Sequence, residues 1–273
     1  MRFLKPGSAI VYFFVLLTSC SSRRIVSFPA RQSVVTGTAF YKQAFPYNWQ
    51  QRDSLVWQQV VQGNLPDFLQ RFVPIHVSVY DTVQQETIKA VYYVSPDYFS
   101  VGTNDDWARV NITPMMAQRI ADSLHCFLPT KKMVDDIYKN ADVKLEPVPM
   151  YAFRDSTPTM FHHHVIVEGQ RKGRKGLIAG IMKDVVISSK IVRDPKPNRV
   201  AIYGWHLPGG KPIQPLYTGH VNWYVDYSHG TRLVYEKIKV NGKWMGYKDV
   251  LSDAVLKRLL CDEDDCSFFR YPY

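Results

Sequence analysis

The chain has 273 residues, 46% of them hydrophobic and 14% aromatic, which excludes an intrinsically disordered protein and indicates a packed core. The formal net charge is +10, with the basic residues dispersed and one dense run, RKGRKG at 171–176. Such a balance favours anionic partners. It lacks the concentrated basic stripe of a nucleic-acid reader, so no nucleic acid is expected as a partner.

In chain order, the first predicted element is an export signal. MRFLKPGSAIVYFFVLLTSC places Arg2 and Lys5 ahead of an apolar run from Ala9 to Leu17. That run is shorter than the roughly 20 residues a bilayer-spanning helix needs, which suits a cleaved signal. The closing LTSC resembles the lipobox of bacterial lipoproteins. The resemblance implies that Cys20 is diacylated, becomes the first mature residue and anchors the chain to a lipid bilayer without a transmembrane helix. Ser21 follows, where an Asp would hold such a lipoprotein at the inner membrane, so in a Gram-negative cell the outer membrane is implied. The expected organisation is a signal at 1–19, a lipidated Cys and tether at 20–38, and a single α+β domain at 39–273. Without the signal's two cations the net charge is still strongly positive. In an envelope the available anions are lipid headgroups and glycans or peptidoglycan.

A helix is predicted within 47–72, stopped by Gly63-Asn64, with a further turn opened by Pro66. Strands are predicted at 75–80, 87–94 and 107–112. Thr113-Pro114 is an N-cap followed by proline at the first helical position. Met116, Ala117, Ile120, Ala121 and Leu124 then form one apolar stripe. After the LPT break, Thr130 caps a second amphipathic helix carrying Met133, Val134, Ile137, Tyr138 and Ala141. Beyond residue 150 the chain reads mostly as strands, at 184–192, 199–206, 220–227 and 231–240. Asn241-Gly242 makes a hairpin turn into KWMGY, and a helix at 249–260 closes the chain. The fold class is α+β: a helical N-terminal part, then a mostly antiparallel sheet with two amphipathic helices packed on it.

The chemistry concentrates in GHVNWYVDYSHG, 219–230. As a strand, 220–227 puts His220, Asn222, Tyr224 and Asp226 on one face and Val221, Trp223, Val225 and Tyr227 on the other. At about 3.3 Å per residue His220 and Asp226 would stand about 20 Å apart. Asp226 and His229 can meet, because DYSHG reads as a turn. A carboxylate beside an imidazole holds its tautomer and raises its basicity. The candidate catalytic group is His229, Asp226, His220, His206 and Ser228, with Lys183 and Asp184 at its margin; the alternative is a set of structural polar groups at strand ends. His162, His163 and His164 are consecutive and point apart, and no zinc-site spacing occurs, so neither a metal nor any other cofactor is expected. Cys261 and Cys266 are a candidate disulfide. Cys126 reads as a buried small residue, because reactive thiols favour helix N-termini.

NLPDFLQRF, LPTKKMVDDIY, RVAIYGWH and DYSHGTRLV resemble a family of uncharacterised exported bacterial proteins, which implies no activity. LPT, KDVVIS and HVNWYV are also similar, in the same order, to segments of the papain-like NlpC/P60 cell-wall peptidases. That similarity implies His220 as the catalytic histidine. The family's Cys would fall near Thr113-Pro114, where this chain has none. Two functions follow as expectations. One is an envelope hydrolase of a cell-wall or glycan-linked substrate, with His229 as base, Asp226 orienting it, and His206 or His220 auxiliary. Water or Ser228 would be its nucleophile. The other is a non-catalytic binding or scaffold lipoprotein, with Trp205, Trp223 and Tyr224 stacking on sugar rings.

Overall fold

The computed structural model describes residues 23–273, so the expected export signal and Cys20 lie outside the described residues. Within them the chain is α+β, as composition and periodicity predict. The two capped helices form as expected, Pro114–Ser123 and Lys131–Asn140. Thr113 Oγ1 accepts the Met116 amide and Thr130 Oγ1 the Met133 amide, both at 3.2 Å. Each helix buries the stripe the spacing indicates, with Ala117, Ile120 and Met133 fully enclosed.

The larger sheet is built on the antiparallel pair Arg71–Asp81 and Glu86–Val94. Its order runs from Arg23–Arg24 through that pair to Val234–Tyr235 and Cys126–Phe127. Lys237–Val240 also pairs with Glu86–Val94 and makes the expected Asn-Gly hairpin with Lys243–Gly246. The smaller sheet runs Pro212–Val221, Arg199–His206, Lys183–Val186 and His229–Gly230, the last joined in parallel. Both sheets share one apolar core, to which Tyr92, Phe127, Ile202 and Tyr227 belong.

Several expectations are corrected. The helix Thr157–Arg171 occupies a stretch to which the sequence reading assigns no element, opened by Ser156 as N-cap with a proline in its first turn. The strand expected at 184–192 ends at Val186, and residues 190–193 form a short helix. No strand covers 220–227: the strand is Pro212–Val221, and the chain then turns, with Asn222 N donating to Asn198 O and Tyr224 N to Val221 O. The described part of the expected tether, 23–38, lies against the domain. From Arg23 it pairs with Arg71–Phe72, and Val26 is buried. Ile25 N donates to Gln70 O and Gln32 N to Gln62 O. Gly63 makes this packing possible: at φ 63° a Cβ would stand 2.2 Å from Pro29 O.

Cys261 and Cys266 form a disulfide, and Cys126 is buried in a strand. Beyond the disulfide, Tyr271 clasps both halves. Its amide donates to Gln118 Oε1, its hydroxyl donates to Val186 O at 2.7 Å, and the same hydroxyl accepts the Ala201 amide at 3.0 Å.

Two arginines lie in the interior. Arg109 forks onto Asp97, Nε to Oδ1 at 2.9 Å and Nη2 to Oδ2 at 2.6 Å, and pairs with Glu168 Oε1 at 2.8 Å. Arg232 donates to Ser95 O and Ile178 O, lies 4.1 Å over the Tyr98 ring, and stands 3.7 Å from Asp184. Removing one partner of a buried pair strands the other charge. Asp97→Asn is therefore expected to lower unfolding free energy by about 3 kcal/mol in urea titration. Lys131→Met, which breaks the peripheral pair with Asp262, should cost no more than about 1 kcal/mol.

Candidate functional site

The smaller sheet positions the candidate groups through its register. Arg199–His206 and Pro212–Val221 pair Val200 with His220, Ile202 with Tyr217 and Gly204 with Gln214. Between these pairs the outer strand uses three residues where its partner uses two. Two successive bulges therefore put Gln214, Tyr217 and His220 on one face, where strict alternation would split them. Lys183 pairs with Gly204 on one side and His229 on the other, so it joins the same row. Gly204 and Trp205 both have positive φ, 107° and 57°. This kink turns the Trp205 indole under Lys183, whose Nζ stands 5.1 Å from the ring centre.

These groups line a cavity of about 310 Å³, completed by Arg154 and Tyr224. Behind it lies the bend anticipated in DYSHG: His229 N donates to Asp226 O at 3.1 Å. Asp226 Oδ1 accepts the Ser228 amide at 2.9 Å and the Ser228 hydroxyl at 2.6 Å. Its Oδ2 accepts Arg154 Nη2 at 3.0 Å. Asn111 Nδ2 pins the bend from below, donating to Tyr227 O and His229 O.

The carboxylate and imidazole are close but do not form the expected dyad. His229 Nε2 lies 3.8 Å from Asp226 Oδ1, beyond hydrogen-bond reach, because Ser228 occupies that oxygen. His229 is buried, and Nε2 has no hydrogen-bond partner among the described residues. Burial outweighs the attraction of Asp226 and pushes its pKa down to about 4, leaving a neutral ring shut off from solvent. Burial also works against the Asp226 carboxylate. His229, the Ser228 hydroxyl and Lys183 overcome that cost and hold its pKa at about 2. Ser228 is fully buried and its hydroxyl is committed to Asp226, so it is not placed as a nucleophile.

His220 is closer to this group than a strand over 220–227 allows. Its ring centre is 4.7 Å from Tyr224, 5.2 Å from Tyr217 and 5.6 Å from His229. Partial burial lowers its pKa against the pull of Asp226, with Lys183 and Arg154 adding to the effect. Lys183 is likewise lowered, chiefly by burial. His206 does not join them. It pairs with Pro212 at the far end of the hairpin, its Nε2 meets Asp135 Oδ1 at 2.9 Å, and its ring stacks on Tyr138 at 4.4 Å. Asp184 faces away from Lys183, as neighbours on a strand must, and accepts the Tyr98 hydroxyl at 2.9 Å.

The three expected stacking aromatics do not form one platform. Trp205 is buried, Trp223 is exposed, and Tyr224 lines the cavity. Thr113, where the resemblance to NlpC/P60 peptidases would place a nucleophile, is buried and hydrogen-bonds Asp53 Oδ2 at 2.5 Å. It lines a different cavity from His220. His163 packs on Tyr227 and His164 on Trp107, and burial drops both pKa values to about 3. Among the described residues no three His, Cys, Asp or Glu side chains converge as metal ligands do.

Sequence reasoning did not find Arg154, Gln214, Tyr217 or Asn111. Arg154 stands alone in FRDST, and the other three depend on bulges or a distant turn. No protein-family model matches the chain, and no curated protein or solved structure matches it either.

The buried histidines set a pH dependence. His229 takes up a proton at 6.5 when unfolded but only near 4 when folded, so unfolding gains a proton between those values. Its contribution to stability is complete above pH 6.5 and is lost as pH falls through 4. His229→Gln, uncharged throughout, should flatten the slope of unfolding free energy against pH in that window by up to one proton, measured by urea unfolding at stepped pH.

Proposed function

We propose that the protein is a lipid-anchored protein of the cell envelope. In this reading it binds an anionic group of a cell-wall or glycan-linked ligand in the cavity of Arg154, Lys183 and His220. The observation that carries it is the chemistry of that wall. Two cations, an amide, two phenols and an imidazole face the opening, while the nearby carboxylate is turned inward and occupied by Ser228 and Arg154. Such a surface offers hydrogen-bond donors to a carboxylate or phosphate, and phenol faces to a sugar ring. Asp226 keeps Arg154 oriented without presenting negative charge to the ligand. The anchor at Cys20 and an outer-membrane location rest on the LTSC resemblance and on Ser21. The positive net charge favours anionic glycans among envelope partners.

A hydrolytic second reading draws on one observation. His220 lines the cavity with a lowered pKa, so it is a neutral base at pH 7. In that reading His220 takes the part first assigned to His229, and water is the nucleophile.

Calorimetric titration with an N-acetylmuramic-acid-containing fragment, against a neutral chitooligosaccharide, tests the binding reading. The acidic ligand should bind, and Lys183→Met or Arg154→Met should weaken it roughly tenfold or more, the usual loss for a charged hydrogen bond, in variants that still unfold cooperatively above the titration temperature. Equal affinity for the neutral sugar would overturn the proposal. Release of reducing ends or peptides that His220→Ala abolishes would replace it with the hydrolytic one.

A further inference from the structure

The anchor, if formed at Cys20, leaves little slack. Arg23 and Arg24 already pair with Phe72 and Arg71 in the larger sheet, and residues 25–36 lie against the domain. Only Ser21 and Ser22 separate Cys20 from the first paired residue. At about 3.6 Å per residue, the lipidated residue lies within about 11 Å of Arg23. The part of the domain beside Arg71 would then be held against the bilayer surface.

That part is basic. A cavity of about 500 Å³ opens there, with Arg71, Val73, Trp107, Arg171 and Lys175 among its lining residues. Lys175 and Gly176 on its wall belong to the exposed run 172–176 that follows the helix Thr157–Arg171. Two carboxylates also face it. Asp97 is consumed by Arg109 at 2.6 Å, and Asp67 accepts the Asn104 amide at 2.9 Å. Arg171 is held by Glu168 at 3.2 Å and lies over Trp107. Arg71, Lys172, Arg174 and Lys175 form no ion pair among the described residues. No described carboxylate neutralises them, although the Arg174 guanidinium also donates to the carbonyls of Arg171 at 3.1 Å and Gln170 at 3.0 Å.

We propose that this face, Arg71 with Lys172, Arg174 and Lys175, docks on anionic phospholipid headgroups and fixes the orientation of the domain on its membrane. The proposal rests on the reading of Cys20 as the anchor. One acyl-anchored residue allows the domain to swivel; a basic patch within a headgroup's reach supplies the second contact.

The test uses the chain from Ser21 to Tyr273, which contains every described residue and no acyl group. It should co-sediment with vesicles of phosphatidylcholine containing about one-third phosphatidylglycerol, release at high salt, and ignore pure phosphatidylcholine. The triple variant Arg71→Glu, Lys172→Glu, Lys175→Glu should lower partitioning at least roughly tenfold. Lys211→Glu, Lys237→Glu, Lys243→Glu changes the net charge equally at other exposed positions and should retain most binding. Equal loss in both triples, or no preference for anionic vesicles, overturns the docking face. Palmitate labelling of the full chain, with Cys20→Ala as control, reads the anchor separately. Label without the vesicle contrast overturns this face alone, and no label overturns the anchor together with the apposition it implies.

Discussion

The arrangement of the core depends on two arginines that have almost no contact with water. Taking a guanidinium out of water costs several kcal/mol unless its donors are met, so each must find acceptors in one geometry. Arg109 takes Asp97 and Glu168; Arg232 takes Ser95 O and Ile178 O beside Asp184. These partners come from the chain after the large sheet's central hairpin, from the helix Thr157–Arg171 and from the smaller sheet. One electrostatic demand therefore brings three parts of the fold into register. Asn111, two residues past Arg109, then reaches the 227–229 bend. The candidate site inherits its position from an interior ion pair that it does not touch.

The same logic explains why a histidine and an aspartate 3.8 Å apart are not hydrogen-bonded to each other. In a dyad the carboxylate spends an oxygen on the imidazole. Here the Asx turn spends it on Ser228, and Arg154 takes the other. The carboxylate is an internal brace for the bend and for the guanidinium at the cavity mouth. His229 is its buried neighbour, and the groups that line the cavity are instead Lys183, His220 and the tyrosines, with Arg154 and Gln214.

Legibility in the sequence followed how local each signal was. Thr113-Pro114 and Thr130 announce helices because capping acts over three residues, and Asn241-Gly242 announces its hairpin for the same reason. The disulfide candidate and the bend at 226–229 were also within short range. HVNWYVDY alternates and so predicts a strand at 220–227, but alternation alone does not distinguish a strand from a succession of turns. The strand Pro212–Val221 was hidden by its prolines and glycine, and its bulges exist only in relation to a partner strand. The helix Thr157–Arg171 carried its own signal in Ser156 and Pro158, overlooked beside three histidines. Neighbouring strands alone suggest that His206 and His220 meet, whereas the hairpin register sends them to opposite ends.

The outer position of Pro212–Val221 in its sheet also bears on how a polymer could be held. An edge strand ordinarily offers unpaired amides, on which an extended peptide can settle as one more strand. This one lacks an N–H at Pro212 and Pro215 and is thrown out of step twice by its bulges. Backbone augmentation is thus disfavoured along the very strand that walls the cavity. On the binding reading proposed above, a ligand there would be gripped through side chains, which suits a guest that has no strand to donate.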